Sequence, residues 1–136
     1  MKKFEILEHR ADLKIRVFGR TEEELFENAM VGMLRAAKYE PTKQLATKQQ
    51  TIKISSLDLP SLLVDFLSEV LYLVETKKLI FEKVKFKKFT ENEIEATLTG
   101  KPLKRMGVHI KGVTYHELDI SQEKDGTWQA TILFDI

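Results

Sequence analysis

LKIRVFGRTEEELFENAMVGMLRAAK, residues 13–38, holds two hydrophobic periods separated by a glycine. Leu13, Ile15 and Val17 alternate with Lys14, Arg16 and Phe18, a period of two that buries one face of a strand. Gly19 ends that strand, and Phe4, Ile6 and their neighbours supply a partner for it. Thr21 followed by Glu24 has the form of a capping box, in which two side-chain oxygens accept from N–H groups that the first helical turn leaves unpaired. Leu25, Phe26, Ala29, Met30, Met33, Leu34 and Ala37 then recur at helical spacing, so a helix is expected from about Thr21 to Lys38.

Working outward, Tyr39 to Gln50 is polar, contains Pro41, and reads as a loop entering a strand that turns Ile52 and Ile54 inward. Asp58 caps a second helix with Pro60 in its first turn, where the missing N–H removes no bond. Leu63, Phe66, Leu67, Val70, Leu71 and Val74 form its apolar stripe, and Val64 and Leu73 widen it. Further strands are expected near Leu79 to Phe89, Ile94 to Thr99, Val108 to Ile120 and Trp128 to Phe134, with hairpin turns at Glu91-Asn92 and Asp125-Gly126. Two helices among six or seven strands predict a two-layer α+β fold, with both helices on one face of a mainly antiparallel sheet. The 136 residues suit one domain spanning 1–136, without internal repeats.

Composition excludes several functions. Lys and Arg number 22 against 21 Asp and Glu, a formal net charge of +1, which argues against a nucleic-acid binder acting through bulk charge. With no cysteine, thiolate nucleophiles, Fe–S clusters, disulfide scaffolds and cysteine zinc sites are excluded. Residues 77–88 carry six lysines and one acid, Glu82, a local +5 that reads as a solvated strand face or as a surface for phosphates or an acidic protein. No aromatic-rich RNA-binding pattern, glycine-rich phosphate loop or GxSxG elbow accompanies it. The longest apolar run, Val70 to Val74, is too short for a membrane span, and a cytoplasmic protein is expected.

Three constellations can carry chemistry. Glu8-His9-Arg10-Ala11-Asp12 places four ionisable groups in five residues, either as a solvated connection with local salt bridges or as a hard-cation site with Asp12 as ligand and Glu8 or His9 orienting it. At the other end, Asp135 and the terminal carboxylate of Ile136 form adjacent anions if Ile132, Phe134 and Ile136 anchor the strand, and a frayed end if they do not. Asp12 brought beside them would complete a pocket for Ca²⁺, Mg²⁺ or Mn²⁺. The third is Lys111-Gly-Val-Thr-Tyr-His116, whose regular alternation would put Gly112, Thr114 and His116 on one face and Lys111, Val113 and Tyr115 on the other. Thr114 and His116 are then either a functional patch or a hydrogen-bonded structural pair. His9, His109 and His116 lack the i, i+4 spacing of a helical zinc motif.

EHRAD at 8–12, GRTEEELFENA at 19–29, DFLSEVLYL at 65–73, KGVTYH at 111–116 and the closing FDI at 134–136 together resemble the archease family, in order and over the whole chain. The resemblance implies a non-catalytic accessory of the GTP-dependent RNA ligase of tRNA splicing, one that promotes guanylylation of the ligase histidine and supports multiple turnover. It also implies a divalent cation, Ca²⁺ first among the candidates, held by Asp12, Asp135 and the carboxylate of Ile136. Lys111, Thr114 and His116 match the family's KAVTYH segment and fall where it has neighbours of that pocket or of the partner surface, while Glu8 and His9 are expected behind the ligands or facing the partner. A chaperone-like modulator of another RNA-processing enzyme, such as an RNA methyltransferase, is the alternative within the family, and a stand-alone metal-dependent phosphoesterase the alternative outside it. Arg10 departs from the usual EHTAD motif, and its guanidinium can pair with a carboxylate or touch a partner. Lys101, Lys104 and His109 lie in a stretch that looks shorter than in relatives and receive no role.

Overall fold

The computed structural model describes residues 1–9, 12–44 and 47–136, with the side chains of Glu8 and His9 outside the description. Its elements run β1 (Phe4–His9), β2 (Asp12–Gly19), α1 (Glu22–Ala36), β3 (Glu40–Pro41), β4 (Lys48–Ser55), α2 (Leu59–Lys77), β5 (Leu79–Phe89), β6 (Glu93–Arg105), β7 (Gly112–Gln122) and β8 (Trp128–Asp135).

This is the expected α+β class, with all strand pairs antiparallel. The strands divide into a sheet ordered β1-β2-β8-β7 and a second in which β6 carries β5 on one side and β3 and β4 on the other. The eighth strand is β3, a two-residue pairing with the end of β6 inside the expected loop. The helices hold the sheets together, because α1 packs on β2 and β5 while α2 packs on β7, β5 and β4. Phe26 of α1 and Phe66 of α2 are fully buried with ring centroids 5.7 Å apart, and Phe89 of β5 meets Phe26 edge-on at 5.0 Å.

Both helix starts follow from their caps. The Thr21 hydroxyl accepts from the Glu24 N–H at 3.1 Å, while the Glu24 carboxylate reaches back to the Arg20 N–H at 3.1 Å, one residue before the usual capping-box partner. Asp58 accepts from the Ser61 N–H at 2.9 Å, with Pro60 in the first turn.

Two strand boundaries shift from expectation. β6 runs through Gly100 and Pro102 to Arg105 because Gly100 lets β5 come close: a Cβ there would collide with the Ile80 carbonyl oxygen. β7 starts at Gly112 rather than Val108, since the residues before it are tacked to the end of α1. The Val108 N–H donates to the Ala37 carbonyl at 2.7 Å, and Gly107 leaves no room for a Cβ beside that oxygen.

Candidate metal centre

β2 and β8 pair along their whole length, from Asp12 opposite Asp135 to Gly19 opposite Trp128. The alternation that turns Leu13, Ile15 and Val17 into the core, and Phe134, Ile132 and Ala130 with them, puts Asp12 and Asp135 together on the outer face. Directly opposed residues of an antiparallel pair have Cβ atoms about 4.5–5.5 Å apart, close enough that two carboxylates repel unless a cation lies between them.

On the far side of Asp135 stands Gly112 of β7, its cross-strand partner, and a Cβ at Gly112 would meet nothing within 4 Å. The missing side chain leaves Asp135 open on that flank. The Lys111 N–H donates to the Asp135 carbonyl at 2.7 Å, fixing the backbone at the end of β8. Ile136 follows immediately, its side chain packed against the core.

Among the described residues, no three Asp, Glu or His side chains lie close enough to hold a metal. Asp12 and Asp135 offer two hard oxygen donors on this face, and the carboxylate of Ile136 is the third that the family resemblance implies. The donor set suits a hard cation rather than zinc. His109 Nδ1 lies 3.5 Å from the Glu75 carboxylate of α2. The side chains of Glu8 and His9, and all of Arg10, lie outside the described residues.

The KGVTYH segment is not a regular strand. Thr114 pairs with Leu133 and Asp119 with Thr131, so Tyr115, His116, Glu117 and Leu118 stand opposite the single residue Ile132. Thr114 is half-buried, and its hydroxyl accepts from the His116 N–H at 2.9 Å. His116 is exposed, and the simple alternation that would place it beside Thr114 and Gly112 does not hold here.

Two residues near this row escaped sequence reasoning. Lys14, next after Asp12 on the outer face, meets Glu117 with Nζ to Oε2 at 3.0 Å. Glu117 adopts φ 58°, and that ion pair holds its carboxyl below the usual range, aided by the nearby His116. The only signal was an acidic residue inside KGVTYHEL where the alternation becomes ambiguous.

The model of the Archease protein family (MTH1598/TM1083) matches residues 4–136. This chain belongs to the archease family. A protein archease from Methanosarcina barkeri is 36% identical over 143 residues, covering 99% of this chain and 97% of its own length. One from Thermococcus kodakarensis is 33% identical with full coverage of both chains. Among solved structures, Methanobacterium thermoautotrophicum protein 1598 superposes with a TM-score of 0.67 at 27% identity over the whole of both chains. A Thermotoga maritima protein described as an archease and possible chaperone gives a TM-score of 0.71 at 20% identity, covering 97% of this chain and 96% of that one, and shares the fold. Within this archease, as far as the described residues go, no helix is long and apolar enough to cross a membrane.

Proposed function

We propose that this protein is a non-catalytic, cation-dependent activator of the GTP-dependent RNA ligase of tRNA splicing, acting in the cytoplasm on RNA only through that enzyme. The observation that carries this reading is the cross-strand register of Asp12 with Asp135 on the open face of the β2–β8 pair. Asp12, Asp135 and the carboxylate of Ile136 would hold the cation, which would offset the repulsion between them. The row they form is the charged surface offered to the ligase. Ca²⁺ is the favoured ion, and Mg²⁺ and Mn²⁺ use the same donors.

The surface acts by binding. It shifts the ligase toward the state that accepts GMP on its histidine only as far as it binds that state better than the others. Lys111 and Thr114 flank Gly112 in the chain, His116 stands exposed in the bulge that follows, and all three belong to the partner-facing surface. Near-balance of charge, +1 over 136 residues, fits a protein that reaches RNA through a partner.

The test is guanylylation of purified ligase with GTP, with and without this protein. Asp12→Ala and Asp135→Ala are expected to remove the stimulation while leaving the thermal transition in place. Undiminished stimulation by either variant overturns the reading. A second reading is a chaperone-like modulator of another RNA-processing enzyme such as an RNA methyltransferase; the Thermotoga maritima protein of the same fold is described as a possible chaperone. Stimulation of a purified methyltransferase but not of the ligase would favour it.

A further inference from the structure

We infer that Lys14 and Glu117 form a latch that positions Tyr115 and His116 as the partner-contacting tip beside the Asp12–Asp135 row. This rests on the ligase-activator reading and names two residues that serve it without being ligands.

The bulge sets four residues of β7 against one of β8, so the chain must leave the sheet and return. Lys14 on β2, Leu133 on β8 and Thr114 on β7 lie in one cross-strand row, with β8 in the middle. Glu117, which leaves from β7, can reach Lys14 at 3.0 Å only by crossing over β8 at Leu133. The Glu117 side chain therefore meets Lys14 across the outer face of β8, in the next outward-facing row after Asp12, Asp135 and Gly112.

Its conformation is held against a local preference. Glu117 sits at φ 58°, where a side chain with a Cβ is disfavoured, and such a residue persists when its surroundings over-determine it. Three contacts do so here: the Lys14–Glu117 pair, the His116 N–H on the Thr114 hydroxyl, and Leu118 packed on the core. None of them uses the Tyr115 ring, which remains 59% exposed, or covers His116. An aromatic and an imidazole held out on a fixed backbone lose little freedom on docking, the condition under which such groups become binding hot spots.

The latch also keeps Lys14 occupied. As the outer-face residue next to Asp12, its ammonium would otherwise be a ready counter-ion for the carboxylates that the cation needs.

The experiment uses the full chain with Lys14→Gln, Glu117→Gly and the conservative Lys14→Arg. Glycine relaxes the positive φ, so Glu117→Gly removes the latch without adding strain. Amide hydrogen exchange at residues 116–118 is read without ligase, and the concentration giving half-maximal ligase guanylylation is read with it. Lys14→Gln and Glu117→Gly are expected to speed exchange and raise that concentration by about tenfold, the scale of one hot-spot contact, with the maximal rate unchanged. Lys14→Arg should behave as wild type in both. Unchanged exchange shows that the pair does not hold the bulge. Faster exchange with an unchanged half-maximal concentration shows that bulge order is irrelevant to the partner. Either result overturns the inference. If wild-type protein fails to stimulate the ligase at all, the ligase reading falls and the presenting role falls with it, while the exchange data still decide whether the latch exists.

Discussion

Asp12 and Asp135, far apart in sequence, face each other across adjacent antiparallel strands, while their neighbours Leu13 and Phe134 turn into the core. Burial of those neighbours fixes the register, since a slip of one residue would expose the apolar set. The core thus forces two like charges together. Without a cation this pairing opposes folding by a few tenths of a kcal/mol up to about 1 kcal/mol. Asp12→Asn in metal-free buffer is expected to leave the thermal midpoint unchanged or raise it slightly, and a fall of several degrees would show that the carboxylate makes a structural contact instead.

Gly112 separates access from folding. Its neighbourhood is open and its φ is not positive, so Gly112→Val should fold normally, with a melting temperature within about 2 °C of wild type. The new side chain would stand beside Asp135 on the same face, and ligase stimulation should fall sharply. Full stimulation by a well-folded Gly112→Val protein would place the working surface elsewhere.

The latch has a pH signature. The hydrogen bond and charge of Lys14 favour the ionised Glu117, desolvation opposes them, and His116 adds the smallest push in the same direction as Lys14. A depressed carboxylate contributes its stabilisation above the ordinary glutamate pKa and loses it as pH falls through the lowered value. NMR titration of the Glu117 side chain should therefore show a midpoint below the ordinary glutamate range, and Lys14→Gln should return it toward that range. A midpoint indifferent to Lys14→Gln would mean that the pair does not persist in solution.

The helix layer contributes a cap and an aromatic cluster to stability. Thr21→Ala removes the cap of α1 and should cost about 1 kcal/mol, a fall of roughly 3–6 °C in a thermal melt. Phe26→Ala, which empties the space between Phe66 and Phe89, should cost about 3–5 kcal/mol. A Phe26→Ala protein no less stable than Thr21→Ala would contradict the packing described above.

These elements also show what a sequence displays and what it hides. The caps at Thr21 and Asp58 and the stripes of α1 and α2 are legible because their signals lie within a few residues. β2 and β8 are legible as strands, but their adjacency is not, since no local pattern encodes which distant strand Asp12 will face. The bulge at Tyr115–Leu118 is hidden for another reason: a strand with extra residues still alternates on each side of the irregularity, and Glu117 at φ 58° is not a residue type that announces a left-handed backbone. β3 and the tacking of Gly107 to the end of α1 depend on long-range backbone contacts that leave no periodic trace.

The central claim is that Asp12 and Asp135 share one cation. Calorimetric titration of Ca²⁺ into wild type, Asp12→Asn and Asp135→Asn proteins tests it most directly. One ion per chain should bind the wild type, and the heat of binding should disappear in both variants. Binding of Ca²⁺ to Asp12→Asn with wild-type stoichiometry and affinity would contradict the account.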